Sequence, residues 1–321
     1  MTVSAMPARA ISPVAPSPRT RPRRHRVPDI KHYVYRDGQP IHQLQYLQVK
    51  VILKGERFTS ARSLRDFRGF VAEAAARAGV DFDTNGYKKT APRIREVLFL
   101  DTPDFLLYRN AFILRRRFLY EDGFLVGDPE IVFKYRHPDL QKAAMVDVRP
   151  NIAGDYQVKF KAEALPLKGR LGGYRMLYSH NIQFPLSGVR HVDRRSMATV
   201  LEVLPALRAL ETPASGRIEL VNNAAIEEIL MDIGRLDFGK GVQAKPNVSL
   251  WRTRGDLQQL VGEFAFQIKF QKRRQLHAKA LTRCEQFFVQ LQRIAKNWVA
   301  LGTTKTGTVY RLQGGGPKSH E

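Results

Sequence analysis

The chain has 321 residues, 43% of them hydrophobic and 26% charged, enough apolar side chain for one large core or two smaller ones. Lys and Arg number 53 against 30 Asp and Glu, a formal net charge of +23, and such a field attracts polyanions: nucleotide, polyphosphate, nucleic acid or an anionic membrane surface. The single cysteine, Cys284, excludes an internal disulfide framework. No apolar run is long enough to span a bilayer, and the start lacks a signal-peptide core, so the expected setting is the cytoplasm.

Residues 1–32 open the chain with Pro7, Pro13, Pro16, Pro18, Pro22 and Pro28 among six arginines, and residues 1–28 hold no acid. Few large apolar side chains are present to offset the entropy of ordering, so this segment is expected to be a disordered basic tail, with nucleic acid as one conceivable partner. Residues 33–312 are expected to form a single domain, followed by a flexible Gly/Pro-bearing tail over 313–321.

Within the domain the first strand is Tyr46–Lys54, with Gln48, Lys50 and Lys54 on one face and Leu47, Val49, Val51 and Leu53 on the other. An amphipathic helix follows over Arg62–Ala78, with Gly79 as its stop. Val97–Leu100 reads as a strand halted at Pro103. Ala111–Phe118 resumes as a second strand on which Arg115 and Arg117 share a face. Ile131–Arg136 sets Lys134 and Arg136 against Ile131, Phe133 and Tyr135, and Tyr156–Glu163 sets Lys159, Lys161 and Glu163 against Tyr156, Val158 and Phe160. A second helix spans Met197–Leu210, with a kink expected at Pro205. Glu263–Phe270 places Glu263, Gln267 and Lys269 opposite Phe264, Phe266 and Ile268, and a long final helix covers Leu276–Leu301, with Cys284 as a small core residue.

Two architectures satisfy this parity. An antiparallel sheet with one face in water gives the same alternation. A closed barrel, its charged faces lining a lumen and its apolar faces covered by helices, also does. The excess of Lys and Arg over acids on these faces favours the barrel, because a solvated sheet ordinarily mixes signs. The expected fold class is therefore α+β, mainly β: an antiparallel tunnel-like β-barrel with flanking helices. Other chemistry has less support. The eight histidines are scattered, and HExxH, GxGxxG, Walker A and GxSxG motifs are absent.

The segment Glu96–Phe118, EVLFLDTPDFLLYRNAFILRRRF, resembles the "YFDTPD…LY…LRxR" stretch of the CYTH superfamily, the triphosphate tunnel metalloenzymes. The resemblance extends in order to the polyphosphate-polymerase domain of the vacuolar transporter chaperone type. Arg115 and Arg117 match the arginines of LRxR, Lys134 and Arg136 the basic pair of "TLKxR", Lys159 the lysine of "KFEE", and Glu263 and Lys269 a late "E-x-E…K" strand. The ending Lys305–Leu312, KTGTVYRL, also suits the family. These proteins build a β-barrel tunnel whose basic side chains grip a triphosphate and whose glutamates hold Mg²⁺ or Mn²⁺. The phosphate-binding set implied here is Lys54, Arg115, Arg117, Lys134, Arg136, Lys159 and Lys269.

The family's N-terminal ExExK strand is matched only by Lys50-Val51-Ile52-Leu53-Lys54, where Lys54 fits and both glutamates are missing. Ala265 likewise stands where a second glutamate would accompany Glu263. Glu219, Asp232 and Glu163 are the other carboxylates that could take part, which gives Glu263, Glu219 and Asp232 as candidate metal ligands. A lysine at a ligand position repels a divalent cation, so the basic half of such a site is better kept than its metal half. The resemblance thus implies triphosphate or polyphosphate binding, either as a divergent Mg²⁺- or Mn²⁺-dependent triphosphatase or as a non-catalytic binder. A nucleic-acid-binding module is the alternative from a different class.

Overall fold

The structure is a computed structural model and describes residues 33–87, 90–190, 193–210, 215–314 and 316–317. The expected basic tail over residues 1–32 lies outside the described residues. So do residues 318–321 of the expected C-terminal tail.

The first alternating run forms β1 (Tyr46–Lys54), followed by α1 (Ala61–Asp66), α2 (Arg68–Ala78) and the short β2 (Asp81–Asp83). Next come β3 (Arg93–Asp101), α3 (Leu106–Arg109), β4 (Phe112–Glu121), β5 (Phe124–His137), α4 (Leu140–Met145), β6 (Gln157–Pro166) and β7 (Tyr174–Pro185). The last part holds α5 (Met197–Val203), β8 (Glu219–Asp232), β9 (Arg235–Asp237), β10 (Gln243–Ala244), β11 (Asn247–Thr253), β12 (Gln259–Lys269), α6 (Ala278–Ile294) and α7 (Lys305–Tyr310).

Nine strands close into a barrel in the order β1-β12-β11-β8-β3-β4-β5-β7-β6, and β10, β9 and β2 form a separate small sheet. Neighbours are antiparallel except at the closing seam, where β6 meets β1 in parallel with Tyr46 opposite Lys161 and Gln48 opposite Glu163. That exception is forced, because an odd number of strands cannot alternate direction all the way around a ring.

The barrel is charged inside and apolar outside, so the open-sheet alternative does not hold. Val49, Val51, Leu53, Phe264, Phe266 and Ile268 face outward into one cluster with α2 and α6. Phe112, Leu114, Ile131, Phe133, Ile182 and Phe184 face a second cluster formed with α5 and the 3₁₀ turn Pro205–Leu210. Gly262 marks a close approach on the outer wall: a Cβ there would fall 2.2 Å from a ring carbon of Phe58.

One end of the barrel is filled. Ile52, Val97, Phe99, Ile113, Ile226, Trp251 and Val261 meet Tyr108 of α3 and Val309 and Tyr310 of α7 in a single apolar cluster. The Asp-Thr-Pro-Asp turn builds this plug. Asp101, buried, accepts from the N–H groups of Leu107 and Tyr108 at 2.9 and 3.0 Å and from the Tyr310 hydroxyl at 2.9 Å. The Tyr108 and Tyr310 rings stack at 3.9 Å. In β8, Asn222 and Asn223 take positive φ (52° and 49°), which an Asn tolerates, and the Asn222 amide donates to Val309 O at 2.7 Å.

Three helix expectations are shortened. The run Arg62–Ala78 divides at Phe67 into α1 and α2. Met197–Leu210 ends its α-helix at Val203 and continues as a 3₁₀ turn from Pro205, whose ring and missing N–H interrupt the ladder. The Leu276–Leu301 run is helical only over Ala278–Ile294, because its end turns back to bond β1: Ala300 N–H donates to Ile52 O and Lys54 N–H to Trp298 O. Cys284 is a buried core residue, its thiol pushed up to about 12 by burial and by Glu285. Among the described residues no helix is long and apolar enough to cross a membrane.

Candidate functional site

Strand parity turns the inward residues of the barrel into the wall of one cavity of about 670 Å³. β1 supplies Lys50, β3 Arg93 and Arg95, β4 Arg115 and Arg117, β5 Lys134 and Arg136, β6 Lys161, and β12 Glu263 and Lys269. Arg235, Lys245 and Lys305 complete a lining with twelve Lys or Arg against two glutamates, Glu228 and Glu263. So many basic side chains around so small a volume repel one another, and the carboxylates nearby offset only part of that repulsion.

The carboxylates present are already committed. Glu163, fully buried, lies 3.0 Å from Lys50 Nζ, 3.6 Å from Lys134 Nζ and 3.4 Å from Arg136 Nε. Burial alone would raise its pKa, but Lys134, Lys50 and Arg136 hold it well below the usual carboxylate range. Glu228 accepts the Trp251 indole N–H at 2.8 Å and the Lys305 ammonium at 2.9 Å, with Arg95 at 3.6 Å. It too is held ionised: burial opposes this, and Lys305, Arg95 and Arg117 overcome it. Glu263 lies 2.9 Å from the same Lys305 Nζ.

The cations form a graded set. Arg115, buried, has an Nε without a hydrogen-bond partner among the described residues, and its guanidinium lies 5.6 Å from the centroid of the Phe99 ring. Burial and then Arg117 and Arg136 depress its pKa to about 9, so it stays charged at neutral pH. Lys134 is driven well below its ordinary value by burial, with Arg136, Lys50 and Arg115 adding to that and Glu163 opposing it. Lys161, lowered to about 7 by burial and then Lys50, donates to Gln267 Oε1 at 3.3 Å.

Of the residues expected from the sequence, Arg115, Arg117, Lys134, Arg136, Lys269 and Glu263 share this cavity. Lys159 faces the same way on β6 but is absent from the wall, its Nζ donating to Gln183 Oε1 at 2.8 Å. Lys54 lies at the far end of β1, two residues past Ile52 of the apolar plug, and does not line the cavity. Glu219 and Asp232 sit at opposite ends of β8, thirteen positions apart. The bulge at Asn222 and Asn223 shortens the span, since Glu219 to Leu230 runs alongside only Asp101 to Arg93 of β3, yet at ~3.3 Å per residue the ends are still on the order of 30 Å apart, so the two cannot join Glu263 in one coordination sphere. Asp232 instead pairs with Arg93 at 2.9 Å. Arg93, Arg95, Glu228, Arg235 and Lys245 have no place among the residues expected from the sequence, and Lys305 enters only as part of the KTGTVYRL ending. For Arg93 and Arg95 the signal is the alternation Arg93-Ile94-Arg95, just before the apolar stretch Val97–Leu100.

The residues present do not fit Mg²⁺ or Mn²⁺. Such ions take several anionic or neutral oxygens at once. Among the described residues no group of three or more His, Cys, Asp or Glu could hold a metal. Of the three positions where the resemblance implies a glutamate and another residue stands, Lys50 and Ala265 are direct cross-strand partners between β1 and β12, and Ile52 lies opposite Glu263.

No protein-family model and no curated protein matches the chain. Solved structures of similar fold include a proposed adenylyl cyclase from Hippeastrum described as having a dominant triphosphatase activity. It has 12% sequence identity and a TM-score of 0.38, and the match covers 84% of this chain and 97% of that one. A proposed adenylate cyclase from Bacillus halodurans matches at 14% identity over 82% of this chain and 95% of its own, with a TM-score of 0.33. A protein from Pyrococcus horikoshii matches at 13% identity over 82% and 96%, with a TM-score of 0.32.

Proposed function

We propose that the barrel lumen binds the triphosphate group of a small molecule, or the end of an inorganic polyphosphate chain, and does so as a binding protein rather than as a metal-dependent hydrolase. The carrying observation is the imbalance of the wall: twelve Lys or Arg side chains face two glutamates, and Arg115 is buried there with its Nε unpartnered among the described residues. A linear polyanion suits this shape. It presents a charge at each phosphate along a narrow volume, and bidentate Arg contacts to phosphate oxygens are among the stronger hydrogen bonds available to a protein.

The apolar plug supports end-on entry, since Tyr310 and Trp251 offer nothing to a phosphate beyond the last cations. The resemblance of the LRxR and IVFKYR segments to tunnel enzymes supports the same ligand class. The missing acids argue against turnover. Phosphoryl transfer needs a metal or its equivalent to place the attacking water and to neutralise the leaving group, and cations alone bind without doing the first. The single buried thiol suits a cytoplasmic setting.

The test is titration calorimetry with tripolyphosphate in the presence of a chelator, against sulfate at matched ionic strength, together with phosphate-release assays using Mg²⁺ or Mn²⁺. Saturable, chelator-resistant binding that prefers tripolyphosphate is expected, with no metal-stimulated release. Equal affinity for sulfate would remove the binding proposal. Brisk metal-dependent release from tripolyphosphate, ATP or longer polyphosphate would remove the non-catalytic part of it.

A further inference from the structure

Lys305 stands where helix electrostatics do not favour it. It is the first residue of α7, capped by Thr304, whose side-chain oxygen accepts from Gly307 N–H at 3.0 Å. An ammonium in that first turn meets the positive end of the peptide dipoles. Its partners account for the placement. Nζ lies 2.9 Å from Glu228 Oε1, 2.9 Å from Glu263 Oε1 and 3.4 Å from Ser249 Oγ, with the Trp251 ring centroid at 4.6 Å. Register explains the convergence: on β11, Ser249 is opposite Glu263 of β12 and Trp251 is opposite Glu228 of β8. Two carboxylates and a hydroxyl make an all-oxygen donor set, the chemistry that ordinarily holds a hard divalent ion.

We infer that Lys305 is the lumen's resident cation: α7 carries its ammonium into the cage of Glu228, Glu263 and Ser249, where it excludes Mg²⁺ and Mn²⁺. An ammonium tethered on a packed helix is present at high effective concentration without being drawn from solution. A divalent ion would have to evict it and strand a buried positive charge beside the eleven other Lys and Arg of the wall, which is costly in a poorly solvated site. Removing the ammonium reverses the balance, leaving two buried carboxylates side by side with a need for a new cation. The inference does not depend on which anion the lumen takes, and its test uses metal alone.

Mn²⁺ is titrated into the full chain without phosphate ligand and followed by electron paramagnetic resonance, for the wild type, Lys305→Met, Lys305→Met with Glu263→Gln, and Glu263→Gln alone. The wild type is expected to show no saturable site that Glu263→Gln removes. Lys305→Met is expected to gain one site at least tenfold tighter than any the wild type shows, and the added Glu263→Gln to abolish it. A wild-type site that is lost in Glu263→Gln overturns the inference, and so does a Lys305→Met protein with native circular dichroism that gains no site. Should Lys305→Met fail to fold, the comparison of wild type with Glu263→Gln still decides. Tripolyphosphate binding without metal would be unaffected by either failure, so the anion proposal is judged separately.

Discussion

At the scale of single residues, Glu163 shows what the lumen costs to assemble. Three cations converge on one fully buried carboxylate, and its depressed pKa ties the fold to pH. Because the folded value lies well below the ordinary 4.5, the ionised form contributes stability that is complete above about that pH and lost as pH falls through the folded value. Glu163→Gln is therefore expected to lower stability at neutral pH by roughly 3–5 kcal/mol, the usual cost of breaking a buried pair, and to flatten the acid limb of the melting curve. Melting temperatures from pH 7 to pH 3 for both proteins check this; parallel acid limbs would show that Glu163 is not the group responsible. Lys161 works in the opposite window. With its pKa near 7, it is charged at pH 6 and largely neutral at pH 8, so tripolyphosphate affinity is expected to include a Lys161 contribution that fades as pH rises. Comparison with Lys161→Arg isolates it: the wild type should lose affinity relative to the arginine variant between pH 6 and pH 8 by about threefold to tenfold, the size of roughly 1 kcal/mol. Ratios that stay constant across that range would place the titration elsewhere.

At the scale of elements, the end plug joins two segments far apart in sequence. Asp101 ties the N-terminal turn of α3 to Tyr310 of α7, and burial pushes its pKa up to about 6 despite hydrogen bonds from Leu107, Tyr108, Tyr310 and Thr102. Tyr310→Ala removes a fully buried ring and its stack on Tyr108, and is expected to cost about 3–5 kcal/mol. Tyr310→Phe keeps the ring, removes one hydrogen bond, and is expected to cost about 1 kcal/mol. Denaturant unfolding distinguishes the two, and equal losses would mean that the hydroxyl rather than the stack holds the plug. Elements of this kind also mark where the sequence was legible. β1, β4, β5, β6 and β12 could be read directly, because one face is charged and the other is packed under helices, so a period of two survives intact. β7, β8 and β11 could not. Their inward residues include Ser179, Asn181, Leu230 and Trp251, which break the charge alternation, and β8 is interrupted by the two left-handed asparagines. The metal half of the candidate site failed for a related reason. Spacing in sequence does not say that Glu219 and Asp232 occupy opposite ends of one long strand, or that Glu228, between them, is the residue that faces inward beside Trp251.

At the scale of the whole molecule, charge is divided between two places with different consequences. Residues 1–28 carry six arginines and no acid, which leaves +17 of the +23 for the rest of the chain, and the lumen alone gathers twelve Lys or Arg. Charges on a surface are screened within about 8 Å at physiological ionic strength, whereas those inside a barrel act on a ligand from all sides across little water. The two sources of attraction can therefore be separated by salt and by truncation. A protein lacking residues 1–32 is expected to bind tripolyphosphate within about twofold of the full chain, because none of the cavity's lining residues precedes Gln48. Any affinity of the full chain for duplex or single-stranded nucleic acid is expected to fall sharply on the same truncation and to vanish first as salt is raised, as counterion release from a long backbone dictates. Fluorescence anisotropy for nucleic acid and calorimetry for tripolyphosphate, each at low and high salt, make the comparison. Loss of tripolyphosphate binding on truncation would move the phosphate site out of the barrel. Retention of nucleic-acid binding would instead give the domain surface a role that the inward-facing cations cannot supply, since a duplex about 20 Å across cannot enter a lumen of 670 Å³.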